Sequence, residues 1–314
     1  MFDHYIKLLK SGEVVAFPTE TVYGLGADAW NLSAVKKIFS TKKRPADNPL
    51  IVHISSRAML HPFAAEIPPE AKRLMDAFWP GPLTLIFKKK PDVLDAITAG
   101  LDTVAVRRPA HPLAQKLISQ VGPLVAPSAN SSGRPSPTRP QHVKEDFGEE
   151  FPVVEGGETQ IGLESTVLDV SSVPFTIYRP GGISAEQIEN IIKKSVETGS
   201  KSVGKQAARS PGTKYSHYAP EAQVRWLKDE EISDSNSVLY LLHTINPTNK
   251  AKNIIFFEEN YEMMAHQLFD RFREADHQGY REVQVEPFTN LQLRKVPLAP
   301  AIQNRISKAV GPDD

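Results

Sequence analysis

The chain has 314 residues, with 37 basic and 37 acidic side chains, 40% hydrophobic residues and no cysteine. That length suits two domains with buried cores and excludes a mostly disordered chain. The lack of cysteine excludes disulfides, thiolate metal sites and thiol nucleophiles, and it accords with a reducing cytoplasm. In chain order, apolar runs of strand length fall at residues 14–17, 50–54, 83–87, 104–106, 167–170 and 175–178. Between them, Val35, Ile38 and Phe39, and then Ala71, Leu74, Met75 and Phe78, recur at helical spacing. Ser184 and Gln187 have the form of a capping box opening a helix with Ile188, Ile191 and Ile192 on one face. Further on, residues 238–242, 254–257 and 283–285 read as strands, and 261–277 and 300–310 as helices.

Charge divides the chain. Residues 1–198 carry 22 basic and 22 acidic side chains, whereas 199–220 carry four basic ones and no acidic one. Residues 221–314 carry 11 basic and 15 acidic side chains. The expected organisation is a first α/β domain over 1–198, a linker over 199–220 and a small α/β domain over 221–314. The linker ends in SPGTKYSHYAP, whose two tyrosines and histidine are dense for a flexible tether. No run approaches the ~20 apolar residues of a membrane-spanning helix, and the start lacks a secretory signal, so a cytoplasmic protein off the membrane is expected.

Five segments carry polar groups where a core would not. FPTETVYGLGAD sets Thr19, Glu20, Thr21 and Tyr23 after an apolar run; Gly24 and Gly26 suit either close approach to a ligand or a plain turn. It does not complete a GxGxxG fingerprint, so dinucleotide binding gains no support. TKKRPADNPLIVHI holds Lys42, Lys43 and Arg44 before a proline, then Asn48 and His53. Three cations in a proline-stiffened loop suit a polyphosphate, with a solvated charge run as the alternative. TAGLDTVAVRRPAHP ends a strand with Arg107 and Arg108, where open α/β sheets gather ligands. LVAPSANSSGRPSPT sets Ser128, Asn130, Arg134 and Ser136 among further hydroxyls on a Pro/Gly scaffold. IGLESTVLDV opens a strand with Ser165 and Thr166, and Arg179 ends the next one.

No catalytic triad, P-loop or HExxH spacing is present, so a protein-built metal cage is not expected. Eight cations (Lys42, Lys43, Arg44, Arg107, Arg108, Arg134, Arg139 and Arg179) lie interleaved with hydroxyls. They describe an anionic ligand acted on by positioning and electrostatics.

Those segments, in that order, resemble the threonylcarbamoyl-AMP synthase (YrdC-like) family in its long two-domain form. FPTETVYGLGA, KKRPADNPLIVHI, TAGLDTVAVR, PSANSSGRPSPT and LESTVLD carry the resemblance through most of residues 12–182. SPGTKYSHYAP resembles the linker motif of that form, and AIQNRISKA the end of its second domain. The resemblance implies a twisted mixed sheet with helices around a basic cavity, then a small Rossmann-like α/β domain. It implies that L-threonine, bicarbonate or CO2 and ATP give L-threonylcarbamoyl-AMP and pyrophosphate. The product then passes to a separate transferase that modifies tRNA beside the anticodon. The family's catalytic pairs fall on Lys42 with Arg44 and on Ser128 with Asn130. Thr21, His53, Arg107, Ala126 and Ser165 are expected to face threonine. Arg44, Asn48, Thr103, Ser128, Ser136 and Arg179 are expected to face ATP, and Tyr218 to close over it. Mg²⁺ is expected to arrive with the triphosphate. Thr213 stands where the linker motif has methionine, Leu163 replaces a commoner valine, and the family's glycines near 297–300 are missing, which bears on any ligand role of the second domain.

Two rival readings remain. One is a double-stranded RNA or tRNA-binding module, with weak RNA contact as its milder form. The neutral charge balance and isoelectric point near 7.2 weigh against it, since such domains are typically basic, above about 9. The other is an ATP-sensing regulatory protein.

Overall fold

The strands are short because each apolar run gives way at once to proline, glycine or polar residues. The computed structural model describes residues 2–199, 218–228, 232–247 and 251–311. The first part runs α1 (Phe2–Lys10), β1 (Val15–Phe17), β2 (Gly24–Asp28), α2 (Leu32–Lys42), β3 (Ile51–His53), α3 (Pro69–Phe78), β4 (Leu83–Lys88), α4 (Asp95–Thr98) and β5 (Thr103–Arg107). It continues with α5 (Pro112–Val121), β6 (Leu124–Val125), α6 (Pro140–Phe147), β7 (Thr166–Asp169), β8 (Thr176–Arg179), α7 (Ala185–Ile192) and β9 (Glu197–Thr198). The second part holds β10 (Gln223–Trp226), β11 (Val238–Leu242), β12 (Ile254–Phe256), α8 (Tyr261–His277), β13 (Glu282–Val285), α9 (Asn290–Lys295) and α10 (Ala299–Val310).

Strands β1 to β9 join in one mixed sheet, ordered β1-β2-β6-β3-β5-β4-β7-β8-β9. Its period-2 alternation feeds different cores. Ala16 belongs to the main core, which also takes residues of α2, α3 and α7, whereas its neighbours Val15 and Phe17 belong to a second core with residues of α1 and α5. The capping box at Ser184 and Gln187 forms as the sequence predicts. The same alternation prepares the site. In β3 and β5, Val52 and Val106 enter the main core, while Ile51 and Ala105 lie on the other face, the one shared by His53 and Arg107.

FPTETVYGLGAD differs from expectation. Gly24–Asp28 is a strand, antiparallel to β1. A Cβ on Gly26 would stand 2.7 Å from the Phe17 ring, so this glycine serves strand packing and not a ligand.

The second domain is a parallel sheet in the order β10-β13-β11-β12, with α8 and α10 packed on one face. Between β11 and β13 the chain's connections reverse direction, the place where open α/β sheets bind ligands. Here Glu286, directly after β13, fills it. Its carboxylate accepts the backbone N–H groups of His243 (2.7 Å), Thr244 (2.9 Å) and Ile245 (3.1 Å), and the Thr244 hydroxyl. These bonds hold the carboxyl below its usual pKa, against the upward push of burial.

The two domains share a core. Val22 and Leu163 from the first pack with Met264, Leu268 and Phe269 of α8. Gly162 has φ +78, and a Cβ there would lie 2.4 Å from the His266 carbonyl oxygen; only glycine lets α8 come this close. Arg273 of α8 is buried and pairs with Asp146 at 2.8 Å, and Arg305 of α10 is buried and pairs with Glu164 at 2.7 Å.

Candidate active site

The cavity grows from the sheet's register. His53 faces Arg107 across β3 and β5, and Arg107 faces Thr84 across β5 and β4. The Thr84 hydroxyl lies 2.8 Å from that of Ser165, just before β7, and Arg179 ends β8 opposite Val167. One row of strand ends thus delivers a histidine, two arginines and two hydroxyls to one place. Of these, His53, Arg107, Ser165 and Arg179 line one cavity, together with Thr21, Lys42, Arg44, Ala126, Ser128, Asn130, Glu164 and Tyr218.

Electrostatic coupling gives the order along it. His53 feels Arg107; Arg179 also feels Arg107; Arg179 and Arg44 both feel Tyr218; Lys42 feels Arg44. At one end, Arg107 is committed. It donates to Glu20 at 2.6 Å, to the Thr21 hydroxyl at 2.8 Å and to the Gly81 carbonyl at 3.2 Å. His53 is driven down to about 3 by burial and by Arg107, so its ring is neutral. Its Nδ1 lies 3.1 Å from the Ile51 carbonyl, which can only accept, so Nδ1 carries the proton and Nε2 is left as an acceptor.

The other end is cationic. Lys42 donates to the carbonyls of Ser128 (2.6 Å) and Asn130. Arg44 donates to the carbonyls of Asn48 (3.4 Å) and Pro49 (3.2 Å), and Arg179 to both oxygens of Ser165 at 3.1 Å. Among the described residues none of these three forms an ion pair. Burial, with Arg44 nearby, holds Lys42 well below its usual value, and burial brings Arg44 to about 10. Three desolvated cations without carboxylate partners favour a polyanion.

Most sequence-predicted residues meet here, and some do not. Lys43 is exposed as the α2 cap, Arg108 turns to Gln115, and Arg139 pairs on the surface with Glu158 and Asp270. Arg134 lines the cavity but pairs with Asp146 and Asp276. Thr103 begins β5, opposite Lys88, at the far end of the strand from Arg107, and is not among the lining residues. Asn48 and Ser136 sit behind the wall: Asn48 is buried with both amide atoms unpartnered, and Ser136 donates to Glu164 at 2.5 Å. Tyr218 adopts φ 72 and stacks on Phe269 at 5.2 Å. The part of the linker motif SPGTKYSHYAP before Tyr218, with Tyr215 and His217, lies outside the described residues.

Sequence reasoning passed over Glu164 and Arg305 as functional groups, and gave Glu20 no role of its own. Arg305 had a legible signal. It falls in the apolar stripe Ala301, Ile302, Ile306, Ala309 of α10, where a charge needs a buried partner.

A mixed sheet whose strand ends gather a neutral histidine, hydroxyls and a paired arginine beside cations with no ion pair among the described residues suits an enzyme that brings a small polar substrate against a phosphorylated one. The family model described as "Telomere recombination" matches residues 7–181, and that described as "Threonylcarbamoyl-AMP synthase, C-terminal domain" matches residues 183–311. Threonylcarbamoyl-AMP synthase of Pyrococcus abyssi is 43% identical over 326 residues, covering 96% of this chain and 92% of its own. That of Bacillus subtilis is 42% identical, covering 97% and 91%. The crystal structure of Pyrococcus abyssi Sua5 complexed with L-threonine superposes with a TM-score of 0.88 at 41% identity, covering 99% of this chain and 94% of that one. The chain belongs to the threonylcarbamoyl-AMP synthase family.

Proposed function

We infer that the protein is an L-threonylcarbamoyl-AMP synthase, joining L-threonine, bicarbonate or CO2 and ATP with release of pyrophosphate. The observation that carries this reading is the asymmetry of the cavity, with a hydrogen-bonding end continuous with three cations that form no ion pair among the described residues.

At the neutral end, Arg107, steadied by Glu20, accepts the threonine carboxylate, and the His53 Nε2 lone pair orients the amine or hydroxyl without taking a proton near neutral pH. Thr21 and Ser165 complete the polar wall there. The threonine nitrogen bonds to CO2 carbon and loses a proton, giving a carbamate. A carbamate oxygen then bonds to the α-phosphorus as the bond from that phosphorus to the bridging β-oxygen breaks, and pyrophosphate leaves with that electron pair. Lys42, Arg44 and Arg179 stabilise the charge moving onto the leaving phosphates. Mg²⁺ carried by the triphosphate belongs to the same proposal. Glu164, which lines the cavity, is held by Arg305, and Glu20 is held by Arg107. N-carboxythreonine decomposes in water, which gives Tyr218 and the segment before it a shielding role. Transfer of the product to a separate enzyme acting on tRNA, weak direct contact with RNA, and a cytoplasmic site complete the proposal.

The test is pyrophosphate release from purified protein with each substrate omitted in turn. Release dependent on threonine, bicarbonate and ATP together supports the reading. ATP binding without turnover would favour a sensor, and RNA binding without turnover a binding module.

A further inference from the structure

The cation end of the cavity contains one feature that works against a triphosphate. Glu164 is a buried carboxylate in the wall, immediately before Ser165 and near Arg179. A bare negative charge there would repel the ligand that Lys42, Arg44 and Arg179 attract.

The first domain does not neutralise it with a cation of its own at hydrogen-bonding distance. Ser136 supplies a neutral donor to Oε1 at 2.5 Å, and Oε2 accepts from the Arg305 Nε at 2.7 Å, 141 residues away in the chain. The same guanidinium donates through Nη1 to the Pro180 carbonyl at 2.9 Å, next to Arg179, and lies 5.6 Å from the centre of the Tyr218 ring. One side chain of the second domain therefore touches the chain neighbours of Ser165 and Arg179, and Tyr218 itself.

We propose that Arg305 is a positioning residue for ATP: it cancels the charge of Glu164 in the cavity wall and fixes the strand ends that present Ser165 and Arg179. It acts through Glu164 and is not itself among the lining residues. This gives the AIQNRISKA segment a place in the reaction, and it makes the second domain part of the nucleotide site. The proposal rests on ATP being the substrate of this cavity.

Removing Arg305 alone leaves a buried carboxylate bare, so the informative experiment pairs it with Glu164. Full-length wild type, Arg305→Met, Glu164→Gln and the double variant are compared by KM for ATP, KM for threonine and thermal midpoint, with direct binding of ATP as a readout independent of turnover. Arg305→Met is expected to raise the KM for ATP at least tenfold and that for threonine less than twofold. Glu164→Gln alone is expected to lower the KM for ATP. Adding Glu164→Gln to Arg305→Met is expected to restore ATP affinity to within about threefold of wild type, since 1.4 kcal/mol is a factor of ten and most of the loss is charge repulsion. If Arg305 only holds the domains together, both KM values and the midpoint move in parallel and Glu164→Gln rescues nothing, which overturns the proposal. Should Arg305→Met fail to fold, an ATP affinity in the double variant more than tenfold weaker than wild type overturns it as well. A wild type without threonine-dependent pyrophosphate release refutes the broader function instead.

Discussion

Arg107 and Glu20 form a buried pair, each about 5% exposed at the side chain, and the perturbation that separates their roles is a pair of substitutions. Arg107→Met deletes three donors at once, to Glu20, Thr21 and Gly81. Among the described residues Glu20 then keeps only the Ala110 N–H at 2.9 Å and is left as a charge away from water. Breaking such a pair from one side costs about 3–5 kcal/mol of stability. Replacing both partners, Arg107→Met with Glu20→Gln, removes the stranded charge, and the double variant is expected within about 1–2 kcal/mol of wild type. Threonine binding should not recover, because the carboxylate still lacks its cation; a loss of about 2 kcal/mol or more corresponds to roughly a 30-fold rise in KM. Urea unfolding and steady-state kinetics on the three proteins decide the matter. A double variant as unstable as the single one refutes the stranded-charge account. A double variant with normal threonine KM shows that Arg107 is not the carboxylate's partner.

Lys42→Ala and Arg44→Ala should each depress pyrophosphate formation at saturating threonine; unchanged release in both variants would remove the phosphate role of that loop. Binding of ATP at pH 8 should take up protons, up to about one, because a polyanion raises the pKa of Lys42 and of Lys308, which burial and Arg305 bring down to about 8. Calorimetry in buffers of different ionisation heat measures the uptake, and Lys308→Met should diminish it. Glu286→Ala should weaken the second domain by about 3 kcal/mol, since three backbone N–H groups lose their acceptor. In the wild type that stability is present above the ordinary carboxylate pKa and is lost as pH falls through the lowered folded value, whereas the variant's acid profile should lack this step.

The strands with unbroken apolar runs were legible because burial on both faces writes itself into composition. Residues 83–87 and 238–242 read as strands and lie in β4 (Leu83–Lys88) and β11 (Val238–Leu242). Helix α8 was legible because its apolar residues recur every three or four positions. β2 was not, since its glycines yield to Phe17 and carry no strand propensity. Within the site, His53 stood out as a polar group inside an apolar run and Arg107 as one ending a run, but their pairing is a matter of register, which no local pattern encodes. Thr103 shares a motif with Arg107, but the length of β5 sets the two at opposite ends of the strand. The partners Glu20 and Arg305 come from remote segments, and only the fold brings them in.

Glu286 gives the second domain a further property. Its tethered carboxylate competes for the three N–H groups at an effective concentration on the order of millimolar or higher. A free phosphate or carboxylate that binds such a cradle weakly is therefore outcompeted at ordinary cellular levels. The domain has the frame of a nucleotide-binding unit but supplies its own anion, and this frees its surface to serve as a rigid wall against the first domain.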